Sequence, residues 1–142
     1  MVKLHLTELS DGGIHLSLHV EIDSIKLRFV LDTGASHSVL DVEWAKENLP
    51  KNEINLIDDP AQGIGSAVEV HKAIVSEMKI ADLVIKDKML AMINFDGINS
   101  VYEREGIEKV HGILGGDILH EYDAIIDYKE MSIVFQTQGT TF

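Results

Sequence analysis

No cysteine occurs among the 142 residues. That excludes disulfides and thiolate catalysis and leaves the redox compartment unread. Positive charge is scarce: 12 Lys and Arg stand against 24 Asp and Glu, a net charge of −12. Nucleic acid and anionic membranes attract basic surfaces, so this balance argues against both as partners. No apolar run is long enough to span a bilayer. The first residues, Met1 to Glu8, lack the apolar core of a signal peptide. A cytoplasmic protein is therefore the expectation, although a trimmed leader would leave the same picture. The chain has no His-Glu-x-x-His, no phosphate loop and no Gly-x-Ser-x-Gly turn. Its seven histidines are scattered. His15 and His19 share a strand face but stand about 13 Å apart, too far for one metal, and read as solvent-facing. No metal or cofactor is expected. Repeats, linkers and low-complexity segments are missing as well.

What is present fits a folded domain. Hydrophobic residues make up 45% of the chain and mean hydropathy is +0.07. A chain of this length reads as one domain, 1–142, large enough for a real core. Ile14, Leu16, Leu18, Val20 and Ile22 alternate with polar residues, which predicts a half-buried strand. Asp23-Ser24 predicts a tight turn, and Ile25, Leu27, Phe29 and Leu31 a returning strand. Asp41 is placed to cap a short helix, Val42 to Asn48, stopped by Leu49-Pro50. Lys51 to Pro60 reads as polar connection. Val68 to Val75, Met78 to Ile85 and Met89 to Ile93 read as strands, the last two joined by a charged turn at Lys86-Asp87-Lys88. Asn99 to Glu105 reads as an exposed helix ended by Gly106, and Asp117 to Tyr122 as another short helix. Ala124 to Ile126 and Ser132 to Gln136 close the chain as strands. The expectation is a mostly β protein with two or three short helices, and pattern alone would fit any small barrel or sandwich.

One stretch stands apart. The strand Phe29-Val30-Leu31 runs straight into Asp32, followed by Thr33, Gly34, Ala35, Ser36, His37 and Ser38. A carboxylate entering an apolar region costs free energy unless something hydrogen-bonds to it. Thr33 can donate its hydroxyl, and Gly34 lets its N–H approach closely. Far downstream, Gly112-Ile113-Leu114-Gly115-Gly116-Asp117-Ile118-Leu119 makes a tight apolar turn able to pack beneath that loop. Taken alone, Asp32 reads more readily as a turn or capping aspartate than as a catalyst.

Together, Asp-Thr-Gly-Ala-Ser early, Ile-Leu-Gly late and Ile126-Asp127-Tyr128 after it resemble the retropepsin-like aspartyl proteases, and within them the small bacterial single-lobe branch, over roughly Ile14 to Phe135. The resemblance implies a closed, barrel-like β lobe with one helix near its C-terminal end. It implies that Asp32 is catalytic, that Thr33 and Gly34 form the floor of the site with Ala35 as further support, and that Gly63, Ile64 and Gly65 stand at the flap, or else at a plain surface hairpin. A Ser38–Asp117 hydrogen bond would brace the loop; Asp117 as a simple helix cap is the other reading. Asp127 reads as a structural turn-former. Leu31, Val39, Ile64, Ile113 and Leu114 are expected near apolar substrate pockets. The viral relatives' intersubunit ion pair is missing, because those positions read Ser36 and Gly116 here.

Peptide hydrolysis without a metal needs one carboxylate to take a proton from water and one carboxylic acid to protonate the carbonyl oxygen. The chain has one Asp-Thr-Gly, so by symmetry the second aspartate comes from a second copy. The expectation is a homodimeric aspartic endopeptidase acting on an extended peptide, with Met1 to Leu9 and Thr137 to Phe142 available as intersubunit strands. The alternative is a non-catalytic peptide-binding or regulatory module on the same fold.

Overall fold

The computed structural model describes residues 1–50, 54–57 and 70–136. Alternation along Ile14–Ile22 (β3) sends Leu16, Leu18, Val20 and Ile22 to one face, each 5% exposed or less. The partner strand Ile25–Leu31 (β4) sends Leu27 and Phe29 to the same interior. Asp23 and Ser24 turn between them with positive φ, 49° and 68°. The chain continues through Val39–Asp41 (β5), the helix Val42–Asn48 (α1), Ile54–Ile57 (β6), Val70–Ile80 (β7) and Leu83–Ile93 (β8). Then follow the helix Asp96–Arg104 (α2), Gly112–Leu114 (β9), the helix Gly116–Glu121 (α3), Ile125–Asp127 (β10) and Ser132–Val134 (β11). Two N-terminal strands, Val2–Lys3 (β1) and His5–Glu8 (β2), precede them all.

Six strands close into a barrel in the order β3, β4, β9, β5, β8, β7 and back to β3, where Ile22 pairs with Met78. Closure removes the open edges that would otherwise invite aggregation. β2 adds to β3 and β6 to β7, while β1, β11 and β10 form a separate three-stranded sheet. Both N-terminal strands therefore pair within their own chain, β1 with β11 and β2 with β3. Asp41 caps α1 as expected, its carboxylate accepting the Glu43 N–H at 3.2 Å.

The expected turn at Lys86-Asp87-Lys88 is not there. β8 runs straight through it, Lys86 pairing with Glu77 and Lys88 with Val75, and the reversal lies at Ala81-Asp82. The cause is a change of phase. Along β7 the buried positions switch from Ala73 and Val75 to Met78 and Ile80, and along β8 from Leu83 and Ile85 to Leu90 and Met92. Asp87 takes φ 51° at the crossover. The paired ribbon turns its other face inward there, and a one-residue phase slip in an alternating pattern reads, in sequence, as a break.

Two further differences concern polar segments. Part of the supposed connection is strand, since Ile54–Ile57 pairs with β7. And α2 starts at Asp96, where the Asn94 side chain accepts the Asp96 N–H at 2.7 Å, and ends at Arg104, two residues before Gly106 with φ 72°. Its outer face is exposed as expected, but its inner face is not. Asn99 and Tyr102 are buried, and with Phe95 and Val110 they build a second small core against Val30, Val39 and Ile113 outside the barrel. Asn99 ties this core down by exchanging two hydrogen bonds with the Val110 backbone, at 2.9 and 2.8 Å.

Candidate active site

β9 is the element that builds the site. It lies between β4, parallel to it with Leu31 opposite Leu114, and β5, antiparallel to it with Leu40 opposite Gly112. The fit requires Gly112. A Cβ there would lie 2.2–2.4 Å from the ring of Phe29, which is wholly buried. Asp32 extends the β4–β9 ladder by one bond, its N–H donating to the Leu114 carbonyl at 3.0 Å.

The chain then turns tightly. Gly34 N–H donates to the Asp32 carboxylate at 2.9 Å, and Ala35 N–H to the Asp32 carbonyl at 3.2 Å. Gly116 N–H reaches back to the Ala35 carbonyl at 2.7 Å. So the downstream turn does pack against the loop at Asp32, backbone to backbone. Asp32 itself is exposed, at the mouth of a cavity of about 370 Å³. Leu31 and Ile113 line that cavity, whereas Leu114 points into the barrel core and Val39 into the second core. Thr33 is exposed and faces an open recess shared with His120 and Ile126. Gly63, Ile64 and Gly65 lie outside the described residues.

The brace is present. Asp117 Oδ1 accepts from Ser38 Oγ at 2.7 Å, from Ser38 N–H at 2.9 Å and from Ile118 N–H at 2.9 Å. Ser38 Oγ in turn accepts the Gly115 N–H at 2.9 Å. Asp117 sits in the first turn of α3, one residue inside its start, and Gly115 holds the cap position. Lys88 approaches the other carboxylate oxygen at 3.4 Å. Burial pushes the Asp117 carboxyl up, but the bonds from Ser38 and Ile118 and the Lys88 ammonium outweigh it and hold it below the ordinary range. A carboxyl depressed by folding stabilises the fold above its unfolded pKa, and that contribution fades as pH falls through the folded value. Acid denaturation monitored by circular dichroism should therefore show Asp117→Asn less stable at neutral pH by about 1 kcal/mol. The gap to wild type should close below about pH 4, as the native carboxyl gains its proton.

The remaining histidines and serines fall elsewhere. His111 belongs to a separate acidic cleft with Asp41, Glu43 and Trp44, so it does not touch the Asp32 carboxylate. His37 is exposed, and its ring lies 3.2 Å from Ser36 Oγ; the turn brings these neighbours together where extended chain would part them. Asp127 is the turn-former expected, accepting the Glu130 N–H at 2.9 Å. His19 is exposed, but His15 is half-buried and hydrogen-bonded to Tyr102, so only one of the pair faces solvent. Sequence reasoning missed Tyr102. The available signal was its helical spacing from Ile98, which places the two on one face of α2.

A β barrel whose inserted strand clamps an Asp-Thr-Gly turn defines the single lobe of an acid protease. Residues 18–118 match the family described as aspartyl protease, and the chain belongs to that family. Solved structures with the same fold include the retroviral protease-like domain of Ddi1 from Leishmania major (15% identity, TM-score 0.61, covering 85% of this chain and 87% of that one). A retropepsin-like aspartic protease from Rickettsia conorii is similar at 17% identity and TM-score 0.56, over 92% of both chains. The EIAV protease, solved with the inhibitor HBY-793, is 25% identical with TM-score 0.51, over 74% of this chain and 85% of that one. No curated protein sequence matches at a significant level. Among the described residues no helix is long and apolar enough to cross a membrane.

Proposed function

We propose that the chain is a homodimeric aspartic endopeptidase, with Asp32 from each of two copies forming one composite site. The observation that carries this reading is the presentation of Asp32. It is an exposed carboxylate at the end of a barrel strand, fixed by the Gly34 N–H and standing at the mouth of a largely apolar cavity. Asp117, the acid in α3 that braces the loop, is no second catalyst, because three donors converge on its Oδ1. Two-fold symmetry supplies the partner at no cost in sequence.

In the reaction, the ionised member of the pair takes a proton from water while the oxygen of that water bonds to the peptide carbonyl carbon. The protonated member gives its proton to the carbonyl oxygen. Collapse of the tetrahedral intermediate returns the proton to the pair, breaks the C–N bond and protonates the departing nitrogen. Two carboxyls facing each other share one proton because both cannot ionise cheaply. Thr33 and Gly34 hold the floor with Ala35 in support, and the Ser38–Asp117 bond holds the loop. The proposed setting is the cytoplasm, with neither nucleic acid nor membrane as partner.

The test is dilution. If only the dimer works, specific activity on a peptide substrate falls in proportion to concentration once the dimer dissociates, and sedimentation shows the mass halving over the same range. Constant specific activity from a species of monomer mass overturns the reading. A monomer at high concentration that binds peptides without cleaving them supports the alternative, a binding module. The absence of a cation at Gly116 to pair with position 36 keeps that alternative in view.

A further inference from the structure

The cavity beside Asp32 has an apolar wall and a polar end. Val30, Leu31, Phe95, Ile98, Val110 and Ile113 form the wall. At the end, His15 Nδ1 is hydrogen-bonded to the Tyr102 hydroxyl at 2.5 Å. The β3–β4 ladder stops at Leu16 opposite Leu31, so His15 and Asp32 are the next residue on each strand. The polar pair therefore lies one step across the sheet from the carboxylate.

This end is rigid. The Arg28 guanidinium stands 5.7 Å from the centre of the Tyr102 ring. It is itself held by Ser17 Oγ at 3.1 Å, Thr7 Oγ1 at 2.9 Å and the Glu108 carbonyl. Burial pushes the Tyr102 hydroxyl up from its ordinary value, so it remains a neutral O–H. The hydrogen bond to His15 occupies one ring nitrogen. The other, Nε2, has no partner among the described residues. Whichever of the two groups donates, one hydrogen-bonding capacity is left over on Nε2 and one on the Tyr102 oxygen. A purely apolar side chain would desolvate both without replacing their bonds to water.

Resting on the peptidase reading, we propose that His15 and Tyr102 are specificity-determining residues, and that the cavity takes a tyrosine side chain of the substrate next to the bond that is cut. The ring lies along Val30, Ile98 and Ile113, and the phenol hydroxyl bonds to His15 Nε2 or the Tyr102 oxygen. A long apolar stem with a hydroxyl tip matches this lining. Leucine and phenylalanine fill the wall but leave the end unpaired, and lysine brings a charge into apolar surroundings.

The experiment is a peptide set identical except for Tyr, Phe, Leu or Lys at the position preceding the cut. The expected result is kcat/KM about tenfold higher for Tyr than for Phe, the worth of one hydrogen bond between neutral groups. In Tyr102→Phe and in His15→Leu the Tyr-to-Phe ratio should fall to about one. Because the ratio compares two substrates within one variant, a general loss of stability does not move it. No preference in wild type, or an undiminished preference in both variants, overturns the inference. Should wild type cleave no peptide at all, the peptidase reading has failed by itself. The pocket is then judged by NMR titration of the wild-type chain with N-acetyl-tyrosine amide and N-acetyl-phenylalanine amide. Tighter binding of the tyrosine amide, with shifts at His15, supports the pocket, and equal or absent binding overturns it.

Discussion

Asp32→Asn leaves the fold unchanged and lowers peptide cleavage by a factor on the order of 10³ or more, the scale of a lost general acid–base group. The folded chain tolerates the change because of where Asp32 sits. It is exposed, and an asparagine oxygen can still accept the Gly34 N–H. Stability should stay within about 0.5 kcal/mol of wild type. If two copies face each other there, a pair of asparagines can still hydrogen-bond, so association should not weaken markedly. Chemistry is lost because an amide neither takes a proton from water nor delivers one to a carbonyl. Mixing sharpens the result. If each active centre draws one aspartate from each copy, adding the variant to wild type poisons mixed dimers. At equal amounts and free exchange, about half of the wild-type chains face an asparagine, and activity per wild-type chain should fall by about half. A self-sufficient chain would show no such loss. Full cleavage by Asp32→Asn, or a mixture in which wild-type activity is untouched, is the outcome that ends the shared-site reading.

The parts of the molecule legible in the sequence are those governed by short-range rules. Alternation in Ile14–Leu31 gave the hairpin that delivers Asp32, and Asp41 announced α1; the Ser38–Asp117 bond, across 79 residues, came instead from the resemblance to the retropepsin-like proteases. What stayed hidden depends on how the ribbon travels through space. The β7–β8 ribbon changes its buried face at Ser76 and Asp87, and nothing in local alternation distinguishes such a twist from a turn. Tyr102 likewise looks like one more aromatic residue in a polar helix. Only when α2 folds over Val30 and Ile113 does it become the end of a cavity next to the acid. The second small core, built on Phe95, Tyr102 and Val110, was missed for the same reason, since it forms only when α2 and the segment at Val110 pack on Val30, Val39 and Ile113.

Gly115→Ala should damage both the fold and the seat of the acid turn. A Cβ there would lie 2.7 Å from the Ala35 carbonyl oxygen, 2.8 Å from that of His37 and 2.9 Å from the His37 carbonyl carbon. All three are backbone atoms of the acid turn, so no side chain can swing aside to make room. Either the turn moves out or β9 does, and both motions break the Gly115–Ser38 and Gly116–Ala35 hydrogen bonds that seat the loop. The expected cost is about 2–3 kcal/mol of stability, near the upper end for overpacking. Thermal unfolding of a chain this size should come about 6–10 °C lower. Two companions separate crowding from the mere loss of a glycine. Gly116→Ala, whose Cβ would stand 3.4 Å from the Ala35 oxygen, should cost far less. Gly97→Ala, in α2 with nothing within 4 Å, should stabilise by a few tenths of a kcal/mol through helix propensity. Gly112→Ala is the informative contrast. It collides with the Phe29 ring inside the barrel and should destabilise as strongly, but the acid turn rests on Gly115 and not on Gly112. At a temperature where both variants remain folded, Gly115→Ala should therefore lose more kcat than Gly112→Ala. Equal kcat in the two would mean that the contact between β9 and the turn has no part in holding Asp32 in place.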